Sequence, residues 1–331
     1  MVDEHPGRDL VVIAASAGGI EPLRTLLGRL PSRLQAALLV VVHISPRGGS
    51  ALSGILNRSG PLPCSAARDG EPLQPGRVYV ARPDHHLLVH RQTARLSRGP
   101  RHNGMRPAAD PLFLSAAIDA GPRTIGVVLS GTLDDGATGS AAIERYGGAV
   151  AVQDPDESAF SGMPSAALAA TTGAQVLPAA KIADWIVTHS RSPVVTHEPR
   201  RDPELEREIA LLLRQEAIGT PVGNLTAFTC PECSGPIYEG PPERYECRVG
   251  HAWSAQSMIE SQGESVERAL WMAILRLEER ARLLDRMVRS ARDRGQNHTA
   301  RRFEEDRDGT REALETLRAL QQQIGGAPTA S

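Results

Sequence analysis

Apolar positions in the first 190 residues come in short runs separated by turn-forming residues. Leu10 to Ala15, Ala36 to His43, Arg77 to Ala81, Thr124 to Leu129 and Ala149 to Val152 are strand-length stretches with little alternation. That pattern belongs to strands covered on both faces. Between them, Glu21 to Leu30, Ser50 to Ser59, Asp110 to Ala120, Ala137 to Tyr146 and Pro164 to Thr172 carry helix-length patterns. Parallel strands need crossover connections, so the alternation predicts an α/β fold: a mostly parallel sheet with helices on both faces. Leu62 to Leu96 breaks the rhythm and predicts an antiparallel hairpin or edge strands.

The pattern changes after Ser190. Arg, Ser, Pro and His crowd the stretch to Asp202, which reads as a linker, and the remainder of the chain is more highly charged. A short cysteine-bearing segment runs from Thr229 to His251. Beyond it Leu270, Ile274, Leu277, Ala281, Leu284, Val288 and Ala291 step by 4, 3, 4, 3, 4, 3, the spacing of a heptad seam. Gly295 to Asn297 interrupts the seam, and a second helix is predicted from Thr299 to Gln323 with Phe303, Leu314, Leu317 and Leu320 on its apolar side. Two helices joined by a short break predict an antiparallel hairpin. The division is thus a domain at 8–190, a linker at 191–222, a cysteine knuckle at 223–256 and a helical hairpin at 257–325, with no repeats of solenoid period.

Composition narrows the classes. With 37 Lys and Arg against 39 Asp and Glu in 331 residues, the net charge of -2 argues against a nucleic-acid coat protein. The arginines between Arg280 and Arg294 are interleaved with Glu and Asp and read as a solvated face. No apolar run approaches the ~18 residues of a membrane span. Met1 to Asp9 lacks the basic-then-apolar order of a secretory signal. Four cysteines, three of them late, do not make a disulfide scaffold, so a cytoplasmic protein is expected.

Ser16 ends the first strand among Ala14, Ala15, Ala17, Gly18 and Gly19, just before a predicted helix. A sharp strand-to-helix turn with small neighbours lets a serine hydroxyl project, and amides at the helix start face developing negative charge. The same stretch also suits a plain glycine-rich turn. It lacks the G-x-G-x-x-G fingerprint and a Walker lysine, which disfavours nucleotide binding. His43 ends the second strand, as a general base or as a structural histidine. Ser130 to Gly136 follows the strand ending at Leu129; its Asp135 could orient an imidazole or cap the next helix. Parallel strand ends gather on one sheet edge, so a serine, a histidine and an aspartate can meet there.

The late cysteines form Cys230-x2-Cys233, thirteen residues, then Cys247-x3-His251. Three thiolates and an imidazole at this spacing suit a closed, tetrahedral, structural Zn2+ site, with Gly235 and Gly250 easing the turns. A redox pair is disfavoured because no βαβ unit surrounds it. Cys64 reads as an inert thiol, and His85, His86 and His90 as loop and edge-strand residues.

Residues from about 8 to 190 resemble the catalytic domain of the bacterial chemotaxis protein-glutamate methylesterases, the CheB-type family. The resemblance lies in Ala15-Ser16-Ala17-Gly18-Gly19, Val42-His43, Ser130-Gly131 through Asp135-Gly136-Ala137, and Gln153-Asp154 with Gly162-Met163-Pro164. Arg106-Pro107 followed by Asp110, Leu112 and Phe113 adds to it. It implies a doubly wound fold and a hydrolase that cleaves glutamyl methyl esters on chemoreceptors, releasing methanol, with glutamine deamidation as a second activity. It further implies Ser16 as nucleophile, His43 as general base and Asp135 as orienting acid, with Asp134 a solvent-facing bystander and no cofactor for catalysis. The partner so implied is a methylated chemoreceptor or related signalling protein.

This chain departs from the family pattern at Ala14 and Ala17, where Gly and Thr are usual. It departs again at Thr132-Leu133, where Met-Gly is usual. The family's counterpart of Thr132 binds an oxyanion through its backbone amide, and Leu133 is costly if its φ is positive. Because the first strand begins at Leu10, no receiver domain is expected ahead of it. The hairpin is expected to serve dimerisation or docking, or else to fold back on the catalytic domain. Other readings of the chain are a signalling scaffold acting through its tail and an esterase on a small ester.

Overall fold

The computed structural model describes residues 3–5, 7–43, 51–196, 202–214, 221, 223–240 and 244–325. One compact unit extends to Met258 and a second begins at Ile259.

The first unit is built on a seven-stranded sheet. Its order is Gln175–Leu177, Ala149–Gln153, Thr124–Val128, Leu10–Ala15, Ala37–Val42, Val78–Val80 and Cys64–Ala66. Every pairing is parallel. The central strands are buried along their whole length because both faces are covered. On Leu10–Ala15, Val12 and Ala14 pack with Leu112, Phe113 and Leu39 on one face. Val11, Ile13 and Ala15 pack with Leu23, Leu26, Ile182 and Ile186 on the other. Period-two alternation thus feeds two cores at once, each fully buried branched side chain contributing about 1.5–3 kcal/mol.

The chain leaves Leu10–Ala15 toward Ala37–Val42 but leaves Thr124–Val128 toward Ala149–Gln153, on the opposite side. The strand order therefore reverses between Leu10–Ala15 and Thr124–Val128, and a crevice opens at their carboxyl ends. A three-stranded antiparallel sheet of Glu71–Pro72, Thr93–Ser97 and His86–His90 occupies the stretch that broke the sequence rhythm.

The linker expected at 191–222 contains regular structure. Val194–Thr196 pairs antiparallel with Asp3–His5. A helix runs from Pro203 to Arg214, burying Ile209 and Leu212 in the core of the first unit. Asp202 Oδ1 accepts the N–H groups of Glu204 and Leu205, and Pro203 takes the first helical turn. This is an N-cap and proline start that the polar composition concealed. Residues 197–201, 215–220 and 222 of that stretch, like Ser50 of the second predicted helix, lie outside the described residues.

Residues 224–253 form a four-stranded antiparallel sheet of Asn224–Thr229, Pro236–Gly240, Arg244–Cys247 and Ala252–Trp253, within the first compact unit. Its core is small: Cys230, Ile237, Cys247, Trp253 and Met258.

The helices Ala255–Asp293 and Asn297–Gly325 are joined at Gly295, whose φ is 69°. In the second unit Asp285 pairs with Arg307 and Arg311, and Glu278 with Arg318, so the helices run antiparallel. Ile274, Ala281, Leu284, Val288 and Ala291 are buried together with Ala300 and Leu314, whereas Leu320 is exposed. The predicted seam is closed largely within one chain and needs no second copy to bury it. No helix among the described residues is long and apolar enough to cross a membrane.

Candidate active site

The carboxyl ends of three strands deliver the predicted residues to one place. Ser16 N–H donates to Ser130 O at 2.9 Å, and His43 N–H donates to Ala15 O at 3.1 Å. The backbone is crowded here, which explains the small residues. Gly18 has φ 70°, and a Cβ on it would lie 2.7 Å from Ala159 Cβ and 2.9 Å from Ser130 Oγ. A Cβ on Gly131 would lie 2.2 Å from Met163 Sδ and 2.8 Å from Ser16 Cβ. Gly162 admits the Thr132-Leu133 backbone in the same way, with Leu133 N 2.8 Å from its would-be Cβ.

Ser16 Oγ lies 3.1 Å from His43 Nδ1, and His43 Nε2 lies 2.7 Å from Asp135 Oδ2. Both the imidazole and the carboxylate are nearly closed off from solvent. Asp135 can only accept, so Nε2 carries the proton and Nδ1 presents its lone pair to the serine hydroxyl. Asp135 Oδ2 also accepts the N–H of Ala109 at 2.6 Å, while Oδ1 accepts that of Asp110 at 3.1 Å and Asn103 Nδ2–H at 3.3 Å. Burial alone would raise its pKa. The hydrogen bond and charge of His43 and the two backbone donors together outweigh burial and hold the carboxyl below the usual range.

Asp110 shares this pocket and goes the other way. Burial, then the nearby Asp135 charge, pushes it well above an ordinary carboxyl. Its Oδ1 accepts the N–H groups of Gly136 and Gly139, at 3.1 and 2.7 Å. Asp110 thereby serves the start of the helix Ala137–Arg145. That helix is preceded by Gly136, without a side-chain cap of its own. Asp135 is therefore not the helix cap that its position allowed, and its carboxylate is left for His43.

Two expectations need correction. Asp134 is not a solvent-facing bystander: it is half-buried, and its Oδ1 accepts Ser254 Oγ–H at 2.8 Å. Gly235 is not the residue that turns the first cysteine loop; Ser234 is, with φ 58°, while Gly250 has φ 104°. Leu133 does adopt a positive φ, 60°, at a cost of about 1–2 kcal/mol for a residue with a Cβ. Arg106 fastens its loop by pairing with Asp84 and donating to the carbonyls of Arg98 and Gly99.

Cys230, Cys233, Cys247 and His251 come together with their ligand atoms within 4.8 Å of one another. Cys233 Sγ to Cys247 Sγ, and His251 Nδ1 to the Sγ of Cys230 and of Cys247, are each 3.6 Å. A tetrahedron with Zn–S of about 2.3 Å and Zn–N of about 2.0 Å has edges of roughly 3.5–3.8 Å, and these three separations match such edges. His86 lies elsewhere: fully buried, with Nε2–H donating to Pro100 O and Nδ1 accepting Ala108 N–H. Burial pushes the Cys64 thiol up to about 12, as befits an inert side chain.

Asn103 and Ser254 were not anticipated, and Asp110 entered only as part of the family segment after Arg106-Pro107, with no role assigned. Asn103-Gly104 reads locally as a turn, and nothing in the spacing of the three announces a shared pocket.

Residues 11–186 match the family described as CheB methylesterase. The protein-glutamate methylesterase/protein-glutamine glutaminase 3 of Anaeromyxobacter dehalogenans is 42% identical over 181 residues, covering 54% of this chain and 53% of that protein. A namesake numbered 4 from Myxococcus xanthus is 38% identical over 188 residues, covering 56% and 53%. The chain thus spans about half the length of these curated relatives. The crystal structure of the Thermotoga maritima CheB methylesterase catalytic domain superposes with a TM-score of 0.52 at 32% identity, over 54% of this chain and 97% of that one. By strand order, site position and sequence, the chain belongs to the CheB methylesterase family.

Proposed function

We propose that this protein is a serine hydrolase that cleaves glutamyl methyl esters on a chemoreceptor or related signalling protein. The reading rests on one observation, the hydrogen-bonded chain Ser16 Oγ–His43 Nδ1 and His43 Nε2–Asp135 Oδ2 at the carboxyl edge of the sheet. Ser16 Oγ attacks the ester carbonyl carbon while its proton passes to His43 Nδ1. Asp135 holds the ring and stabilises the imidazolium. The tetrahedral intermediate collapses, the C–OCH3 bond breaks, and the Nδ1 proton leaves with the alkoxide as methanol. Water, deprotonated by the same nitrogen, then attacks the acyl-serine; Ser16 recovers that proton from Nδ1 as the acyl–Oγ bond breaks, and the glutamic acid so formed releases water's other proton to solvent as it leaves as the carboxylate. An amide in place of the ester would release ammonia by the same steps, which is glutamine deamidation.

The Cys3His group is proposed as a structural Zn2+ site that takes no part in these steps. Free thiols suit a reducing compartment, which supports a cytoplasmic location.

The experiment is release of volatile methanol from receptor cytoplasmic fragments carrying radiolabelled methyl esters, with Ser16→Ala beside the wild type. Serine-dependent release is expected. Equal release by Ser16→Ala, or none from folded zinc-loaded wild type, overturns the proposal.

A further inference from the structure

Asn103 links the knuckle sheet to Asp135. Asn103 stands in a left-handed turn, φ 51°. Its N–H donates to Ala252 O at 2.8 Å, and Ala252 N–H donates back to Arg101 O at 3.3 Å. Ala252 directly follows His251, so the segment at 101–103 joins the knuckle sheet beside a metal-ligand position. The Asn103 side chain faces both ways. Its Oδ1 accepts Ser254 N–H at 2.9 Å and Ser257 Oγ–H at 2.8 Å, while its Nδ2 donates toward Asp135 Oδ1 at 3.3 Å. Only this amide orientation puts oxygen against donors and nitrogen against a carboxylate. Next to it, Ser254 Oγ holds Asp134, the chain neighbour of Asp135.

We propose that the metal-loaded knuckle is an intramolecular clamp on the acid limb of the triad, with Asn103 as the positioning residue. The inference rests on the readings of Ser16 as nucleophile and of the Cys3His group as a metal site. Among the described residues a cluster of five buried side chains is a thin core for this sheet, and a domain that small generally depends on its metal for order. Loss of the ion frees His251, and with it the Ala252–Ser257 segment that fixes the Asn103 amide. Asp135 then keeps His43, Ala109 and Asp110 but loses its fourth donor. Activity is therefore attenuated, not abolished, by about 10- to 100-fold, the scale set by small misplacements of a catalytic group.

The test is the rate at which a fluorophosphonate labels Ser16 in the full-length protein. The wild type is assayed zinc-loaded, chelator-stripped and reloaded, beside zinc-loaded Asn103→Ala, Ser257→Ala and Ser257→Thr. Stripping and Asn103→Ala should each slow labelling about 10- to 100-fold, and stripping Asn103→Ala should add little. Reloading and Ser257→Thr, which keeps the hydroxyl, should restore the rate. The downfield proton resonance of His43 Nε2–H should move in every slowed form and return on reloading. A labelled wild type whose rate and resonance match those of zinc-loaded Asn103→Ala overturns the clamp, whatever stripping does to folding. A zinc-loaded wild type that does not label at all overturns the serine reading itself.

Discussion

Replacing Asp135 by Asn preserves size and removes one accepting oxygen and the charge. Four donors converge on the carboxylate: His43 Nε2–H and Ala109 N–H on Oδ2, Asp110 N–H and Asn103 Nδ2–H on Oδ1. An amide has one oxygen, so in either orientation its NH2 meets two donors. With oxygen toward His43, Asp110 N–H is stranded in the interior, at about 1–3 kcal/mol. With NH2 toward His43, the ring must present a bare Nε2, which moves its proton to Nδ1 and leaves Ser16 without a base. Both orientations also lose the negative charge opposite the imidazolium. The equivalent change in Ser-His-Asp enzymes lowers kcat about 10⁴-fold, or about 5.4 kcal/mol at 1.36 kcal/mol per decade. Fluorophosphonate labelling of Ser16 in Asp135→Asn should fall by that order, with a lower Tm. Labelling within about tenfold of wild type, in protein of unchanged Tm, would refute both the donor count and the tautomer deduced from it.

Two further outcomes follow from buried groups. Burial pushes the His86 imidazole down to about 4 from 6.5. The unfolded chain therefore takes up a proton between these values while the fold does not. Stability from this group is complete above about pH 6.5 and is lost as pH falls toward 4, by about 3 kcal/mol. His86→Gln retains a donor and an acceptor and should flatten that part of the Tm–pH curve; an unchanged slope would show that His86 is not its source. Metal analysis of protein purified without chelators should find one zinc per chain, falling to near zero in Cys230→Ser with Cys247→Ser; zinc-free wild type would remove the ion from the account.

Much of the fold was legible because its strands are short, apolar and buried on both faces, a pattern that needs no partner to recognise. Leu10 to Ala15 was read with the boundaries it has, since a run of six apolar residues followed by Ser-Ala-Gly-Gly permits little else. The helix Pro203–Arg214 was concealed because its charged first turn resembles a linker, and its buried residues acquire meaning only against the core they enter. Leu133 was legible as a question about φ, and the tertiary structure answered it.

Local sequence alone determined the strand-end positions of Ser16 and His43, the place of Asp135 in the loop that follows a strand, and the paired spacings of Cys230, Cys233, Cys247 and His251. Both depend on short-range covalent geometry: where a strand must stop, and how few residues can bridge two ligands. Tertiary structure alone decided that Asp110, not Asp135, serves the helix after Gly136. It alone decided which imidazole nitrogen faces the serine, and that Asn103 and Ser254 tie the knuckle to Asp135 and Asp134. These are contacts between groups up to 151 positions apart in the chain. Their partners are selected by packing and by competition among buried donors and acceptors, which no local pattern encodes.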